Sequence, residues 1–183
     1  MVGIFGGLGV LDQGKVGDVV TVRRFRGGDA RVLWALNALP NIGRTADPAV
    51  PVPLPPAAGP PAAFSDLADI EAGFLTVGGE FLVVELDGNL VGMGGYRPDG
   101  EGGAEILRVR VHPALRRRGI GRALMGALER CAAGDGLRSA RLDTATNQPE
   151  AMAFYQGLGY RETGREHRPE WTWTLVYYVK ALT

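Results

Sequence analysis

Arg116-Arg117-Arg118-Gly119-Ile120-Gly121-Arg122 is a basic, glycine-containing turn that runs straight into a helix. Ile120, Ala123, Leu124, Ala127, Leu128 and Cys131 follow at i, i+3, i+4, i+7, i+8 and i+11, an apolar stripe of helical period. Such a turn aims several backbone N–H groups at one spot, with the positive end of a helix behind them. That arrangement suits a phosphorylated ligand, and the arginines add charge-assisted bonds. A Walker-type loop is excluded because no lysine and Ser/Thr follow the last glycine. A dinucleotide fingerprint is disfavoured: Leu124 stands where its third glycine belongs, and the loop Pro113–Arg118 separates strand from glycines.

Outward from the turn, the chain reads as alternating strands and helices. Val19–Phe25 predicts a strand. Asp29 predicts an N-cap for a helix to about Leu39. The stretch Pro40–Ala63 carries eight prolines and reads as a long irregular loop. Ser65 predicts a cap for a short helix ending near Gly73. Phe81–Leu86 and Leu90–Tyr96 flank Asp87-Gly88-Asn89, a hairpin signal. Ala104–Val111 continues the meander as a strand, and Pro113 stops it. After the central helix, Ser139–Leu142 predicts a buried strand. Asn147, with Glu150 three residues on, predicts a capped helix carrying Met152, Tyr155 and Leu158. Two last strands are expected near Tyr160–Glu166 and Thr172–Leu182. The predicted class is α+β: one domain over 19–183, with a mixed, mostly antiparallel sheet of six to seven strands and about four helices. Residues 1–18 form a glycine-rich leader of unassigned role.

Bulk properties set limits. Formal net charge is zero, so nothing global draws the chain to nucleic acid or anionic membrane. One cysteine, Cys131, excludes an intrachain disulfide and fits a reducing compartment. With no run long enough to span a bilayer, a cytoplasmic protein is expected. Cys131 lies in the helix stripe and reads as core. His112 and His167 lack metal-ligand spacing, so no metal is expected. Arg23, Arg24 and Arg26 read as a solvated basic patch. Trp171, Trp173, Tyr177 and Tyr178 read as alternating residues of the last strand, one set of which could line a pocket.

The segment V-x-P-x-x-R-R-R-G-I-G-R-A-L-M, followed about thirty residues later by N-x-x-A-x-x-F-Y-x-x-L-G-Y, resembles the GNAT superfamily of acyl-CoA-dependent N-acyltransferases. The likeness runs from about Ala104 to Arg165. It implies acetyl-CoA as acyl donor, with Arg116 opening the R-x-x-G-x-G motif and backbone amides from Arg117, Arg118, Gly119, Ile120, Gly121 and Arg122 around the pyrophosphate. It implies that Val109, Arg110 and Val111 pair by backbone with the pantetheine arm, in a slot opened where this strand and Ser139–Leu142 splay, and that Asn147 contacts that arm. It implies an N-acetyltransferase in which a neutral amine attacks the thioester directly. A backbone N–H near Val109 would meet the oxyanion, and Tyr155 would protonate the leaving thiolate. Glu105 is the favoured general base, with Glu85 and Asp143 weaker. The acceptor is a small amine or a peptide, and a homodimer is the assembly to look for. The alternative is a GNAT-like acyl-CoA sensor without efficient turnover.

Overall fold

The structure, a computed structural model, describes residues 19–41 and 46–183. The predicted leader, residues 1–18, and four residues of the proline-rich stretch lie outside the described residues.

Seven strands form one sheet: β1 (Val20–Arg24), β2 (Glu80–Leu86), β3 (Asn89–Pro98), β4 (Gly103–Val111), β5 (Ser139–Ala145), β6 (Arg161–Glu166) and β7 (Leu175–Ala181). Their spatial order is β1-β2-β3-β4-β5-β7-β6. Every neighbouring pair is antiparallel except β4 and β5. The helices are α1 (Ala30–Ala38), α2 (Ser65–Ala68), α3 (Ile120–Gly134) and α4 (Pro149–Gly157), with a π turn over Glu71–Leu75. The expected class and element order hold. The last strand begins at Leu175 rather than 172, so Trp171 and Trp173 belong to the connection before it, where their rings stack 4.2 Å apart.

Two apolar cores sandwich the sheet. α3 buries Leu124, Met125 and Leu128 against Leu82, Val84, Val91 and Tyr96, and Tyr155 of α4 and Tyr160 just after it extend this layer. Cys131 packs at its margin, half-buried. On the other face Leu33, Leu36, Leu67, Phe74, Phe81 and Met93 join α1 and α2 to β2 and β3. The proline-rich stretch is fastened down more than a free loop would be. Leu54 is buried, Ala57 and Arg31 exchange hydrogen bonds of 2.8 and 2.9 Å, and the Pro51 carbonyl accepts from His112 Nε2 at 3.0 Å. His112 is fully buried. Loss of hydration, countered by Pro51, holds its pKa below the usual value, so the imidazole stays neutral.

The solvated reading fails for Arg23, whereas Arg24 and Arg26 are exposed. Arg23 grips Asp29 through two bonds of 2.8 and 2.9 Å and also reaches Glu85 at 2.6 Å. Arg24 pairs with Glu80. Glu85, opposite Thr21 on the β1 side of the sheet, is thereby committed to structure rather than catalysis. Asp29 does not cap α1 with its side chain; its carboxylate instead accepts from the Arg26 N–H. Burial alone would raise the Asp29 carboxyl, but Arg23 and the Arg26 amide outweigh it and the pKa falls below its ordinary 3.8. A carboxyl depressed on folding stabilises above its unfolded pKa and loses that contribution as pH falls through the folded one. Arg23→Ala should therefore cost about 2 kcal/mol in urea denaturation. Asp29→Asn should flatten the stability loss measured below about pH 4.

Candidate active site

The cleft originates in the one parallel pairing. β4 and β5 are joined only at Gly103↔Ser139, Ala104↔Ala140 and Glu105↔Arg141. Beyond these rungs β5 stays paired with β7 as far as Ala145, while β4 stays with β3 as far as Val111, so the two halves diverge. The opening is a cleft of about 960 Å³.

A bulge shapes its β4 wall. The β3 register slips between Met93↔Arg110 and Gly95↔Leu107, and Arg108 adopts φ 57°. Leu107 packs on the α1 side, whereas Val109, two residues on, packs on the α3 side. Strand alternation would put both on one face, so the extra residue reverses the phase and leaves backbone polar groups unpaired. Asp66 of α2 holds Arg108 at 2.9 Å, and the guanidinium lies 4.3 Å over Phe64.

The basic turn closes one end. A short 3₁₀ turn, Pro113–Leu115, leads to Arg116; Arg117 has φ 67° and Gly119 φ 81°, and α3 begins at Ile120. Left-handed residues among right-handed ones fold successive amides into a concave nest, and the first turn of α3 adds N–H groups with no intrahelical partner. The glycines serve different ends. Gly119 has open space around it and is required by its φ. At Gly121 a Cβ would lie 3.1 Å from the Phe154 ring, so its smallness seats α3 against α4. Arg116 turns inward, its Nε donating to the Val111 carbonyl at 3.3 Å and its other end reaching Asn41 at 3.4 Å.

The structure gathers the predicted binding residues except Arg118 along this one cleft, together with Tyr155. The Tyr155 ring is buried, edge-on to Tyr160 at 5.9 Å. Burial first, and the Asp143 charge second, push its pKa up to about 12, so the hydroxyl keeps its proton at neutral pH. Asn147 is not the cap of α4; that position is Gln148, with Pro149 opening the helix. The buried Asn147 Oδ1 has no hydrogen-bond partner. Glu105 lies apart from the cleft, on the last rung, paired with Arg97 at 2.9 Å. It lines a smaller cavity of about 520 Å³, which Asp143 also lines. Asp143 alone among the acidic candidates borders both spaces. Loss of hydration within the gap and the Glu105 charge push its carboxyl up from the ordinary value, against the pull of Arg108, although the residue keeps an exposed edge. Asn37, Arg110 and Phe154 also border the cleft, and sequence reading gave their side chains no part; Trp173, one of the aromatics expected to be able to line a pocket, borders it too.

The profile of the Acetyltransferase (GNAT) family matches residues 51–160, well over half of the chain. The chain belongs to the GNAT family. Among curated members, human N-acetyltransferase 8 is 33% identical over 113 residues, covering 58% of this chain and 50% of that protein. Rat N-acetyltransferase 8F1 is 31% identical over 106 residues, 55% of this chain and 48% of its own length. The chain thus spans about half the length of the curated relatives it matches. Two GNAT-type structures show the same fold. A Staphylococcus aureus Mu50 acetyltransferase of the GNAT family aligns with TM-score 0.69 at 18% identity, over 90% of this chain and 99% of that one. A Salmonella typhimurium acetyltransferase, solved with its cofactor acetyl-CoA, aligns with TM-score 0.66 at 20% identity, over 90% and 94%. No helix among the described residues is long and apolar enough to cross a membrane.

Proposed function

We propose that this protein transfers an acetyl group from acetyl-CoA to a primary amine by direct attack. One observation carries the reading beyond family membership: an amide nest, an orphaned Asn147 oxygen and a protonated Tyr155 hydroxyl border the same cleft. The donor fits these residues. The nest suits a pyrophosphate, Asn147 Oδ1 suits an amide N–H of the pantetheine arm, and the diverging β4 edge offers backbone groups to an extended chain.

The chemistry follows from the cleft's own groups. The β4 bulge supplies a backbone N–H to the oxygen that gains charge as the amine attacks. Tyr155 returns a proton to the departing sulfur. Asp143, rather than Glu105, takes the proton that the ammonium must lose, because it borders the cleft and its raised pKa brings it nearer to working pH.

Asp143→Asn should lower kcat/KM about tenfold at pH 7, less than a sealed base would, since Asp143 is open to solvent. A base acts only when deprotonated, so wild-type kcat/KM should fall as pH drops through the Asp143 pKa. Glu105→Gln removes one cause of that elevation and should move the acidic limb to lower pH. An unmoved limb would count against this pairing.

Thiol release from acetyl-CoA over a panel of amines, polyamines, amino acids and peptides tests the whole reading. Release with at least one class supports it. Tight coenzyme binding with no release for any amine points to a binding protein instead.

A further inference from the structure

The cleft contains a cation that no carboxylate among the described residues neutralises. Arg110 stands on β4 opposite Met93, past the bulge, and so on the side facing α1. Its guanidinium donates to the Leu39 carbonyl, just beyond the end of α1, at 3.3 Å. The charged groups acting on it are Arg116 and Arg108, both repulsive, and Tyr155. Loss of hydration, then those two arginines, hold its pKa below the ordinary value. The other arginines of the sheet interior are matched: Arg23 by Asp29 and Glu85, Arg108 by Asp66. A half-buried guanidinium bonded to one carbonyl retains donors in a planar fork, suited to bidentate contact with an anion.

Its surroundings point to the acceptor side. Arg110 borders the cleft with Asn37, whose side chain is buried at the end of α1, and with Trp173 from the β6–β7 connection. Asp143 borders the same space from β5. Tyr155 feels both groups, Asp143 raising its pKa and Arg110 lowering it, so a carboxylate and a guanidinium both act on the proposed acid. That pair is complementary to a small dipolar molecule.

We propose that Arg110 binds an anionic group on the acceptor, so that the amine acetylated belongs to an amino acid or amino-acid conjugate with a free carboxylate near its amine. The ammonium would lie towards Asp143 and the carboxylate against the Arg110 fork. The transfer step rests on the function proposed above, whereas the binding preference does not.

The test separates the two. Calorimetry on protein loaded with coenzyme A compares amino acids with their decarboxylated amines, for example phenylalanine with phenethylamine and leucine with isoamylamine. At least one carboxylate-bearing probe should bind on the order of 30-fold tighter than its partner. Arg110→Gln should erase that preference while coenzyme Kd stays within about twofold, and Arg110→Lys should restore part of it. Equal binding of both members of every pair in the wild type overturns the proposal without needing any variant. So does an Arg110→Gln protein whose coenzyme Kd rises instead, since the guanidinium would then serve the donor's phosphates. A carboxylate preference without thiol release would sustain this inference and sink the transferase reading. Release from amines with no such preference would do the reverse.

Discussion

Tyr155→Phe is expected to lower kcat on the order of 10²-fold and to leave coenzyme Kd within about twofold. The substitution removes one oxygen and keeps the ring that packs between Phe154, Tyr160 and Tyr178. Folding should therefore be nearly unchanged, and the loss isolates the proton. The hydroxyl has no hydrogen-bond partner among the described residues, so its removal strands no other group. With its pKa pushed up to about 12, Tyr155 stays protonated throughout the working range. The acidic limb assigned to Asp143 should persist in the variant at reduced height. Stopped-flow thiol release under saturating donor gives the number. An unchanged kcat would end the assignment, and a rate lost together with the acidic limb would mean that the two residues titrate as one unit.

Phe81→Ala should have the largest effect on stability, about 3–5 kcal/mol by urea denaturation. Phe81 is fully buried at the centre of the α1-side core, with its ring 4.9 Å from Phe74 and 6.0 Å from Phe25. A Cβ on the facing Gly95 would come within 2.6 Å of it, so the space is shaped to this ring and the neighbouring strand cannot supply atoms to fill the void. Against a usual total of about 5–15 kcal/mol, this is roughly a fifth or more of the stability, and Tm should fall by roughly 10 °C. The same core seats α2, whose Asp66 holds Arg108 at the bulge, so residual activity should drop even in the folded fraction.

The parts of the fold legible beforehand are those set by local pattern. The α3 stripe, the Asp87-Gly88 hairpin and the glycine turn each state their structure within a dozen residues, and the glycine turn also marks the end of the cleft proposed for the donor's pyrophosphate. What escaped depends on partners distant in sequence. Nothing in Leu107-Arg108-Val109 announces a bulge, because a left-handed arginine is held there by Asp66 and by the β3 register. Arg23 read as solvated because Glu85, sixty-two positions on, is invisible to a local window. Glu105 and Asp143 were separable only once the last rung of β4 and β5 was located, since two residues of register decide which carboxylate borders the cleft. One signal was available: Arg108 and Arg110 alternate with Val109 and Val111, an unusual pair of charges for an interior strand.

Three rungs, Gly103 to Glu105 against Ser139 to Arg141, are all that stitch one half of the sheet to the other. Mechanically the molecule is two plates, β1–β4 and β5–β7, meeting at a narrow seam with α3 lying across it. The compliance of such a body concentrates at the seam, and its softest mode is the angle between the plates. A long ligand lodged in the gap would act as a wedge that fixes this angle. The plate carrying Tyr155 and Asp143 would then be set relative to the plate carrying the bulge by the ligand itself, so catalytic alignment becomes a property of the loaded protein more than of the chain alone.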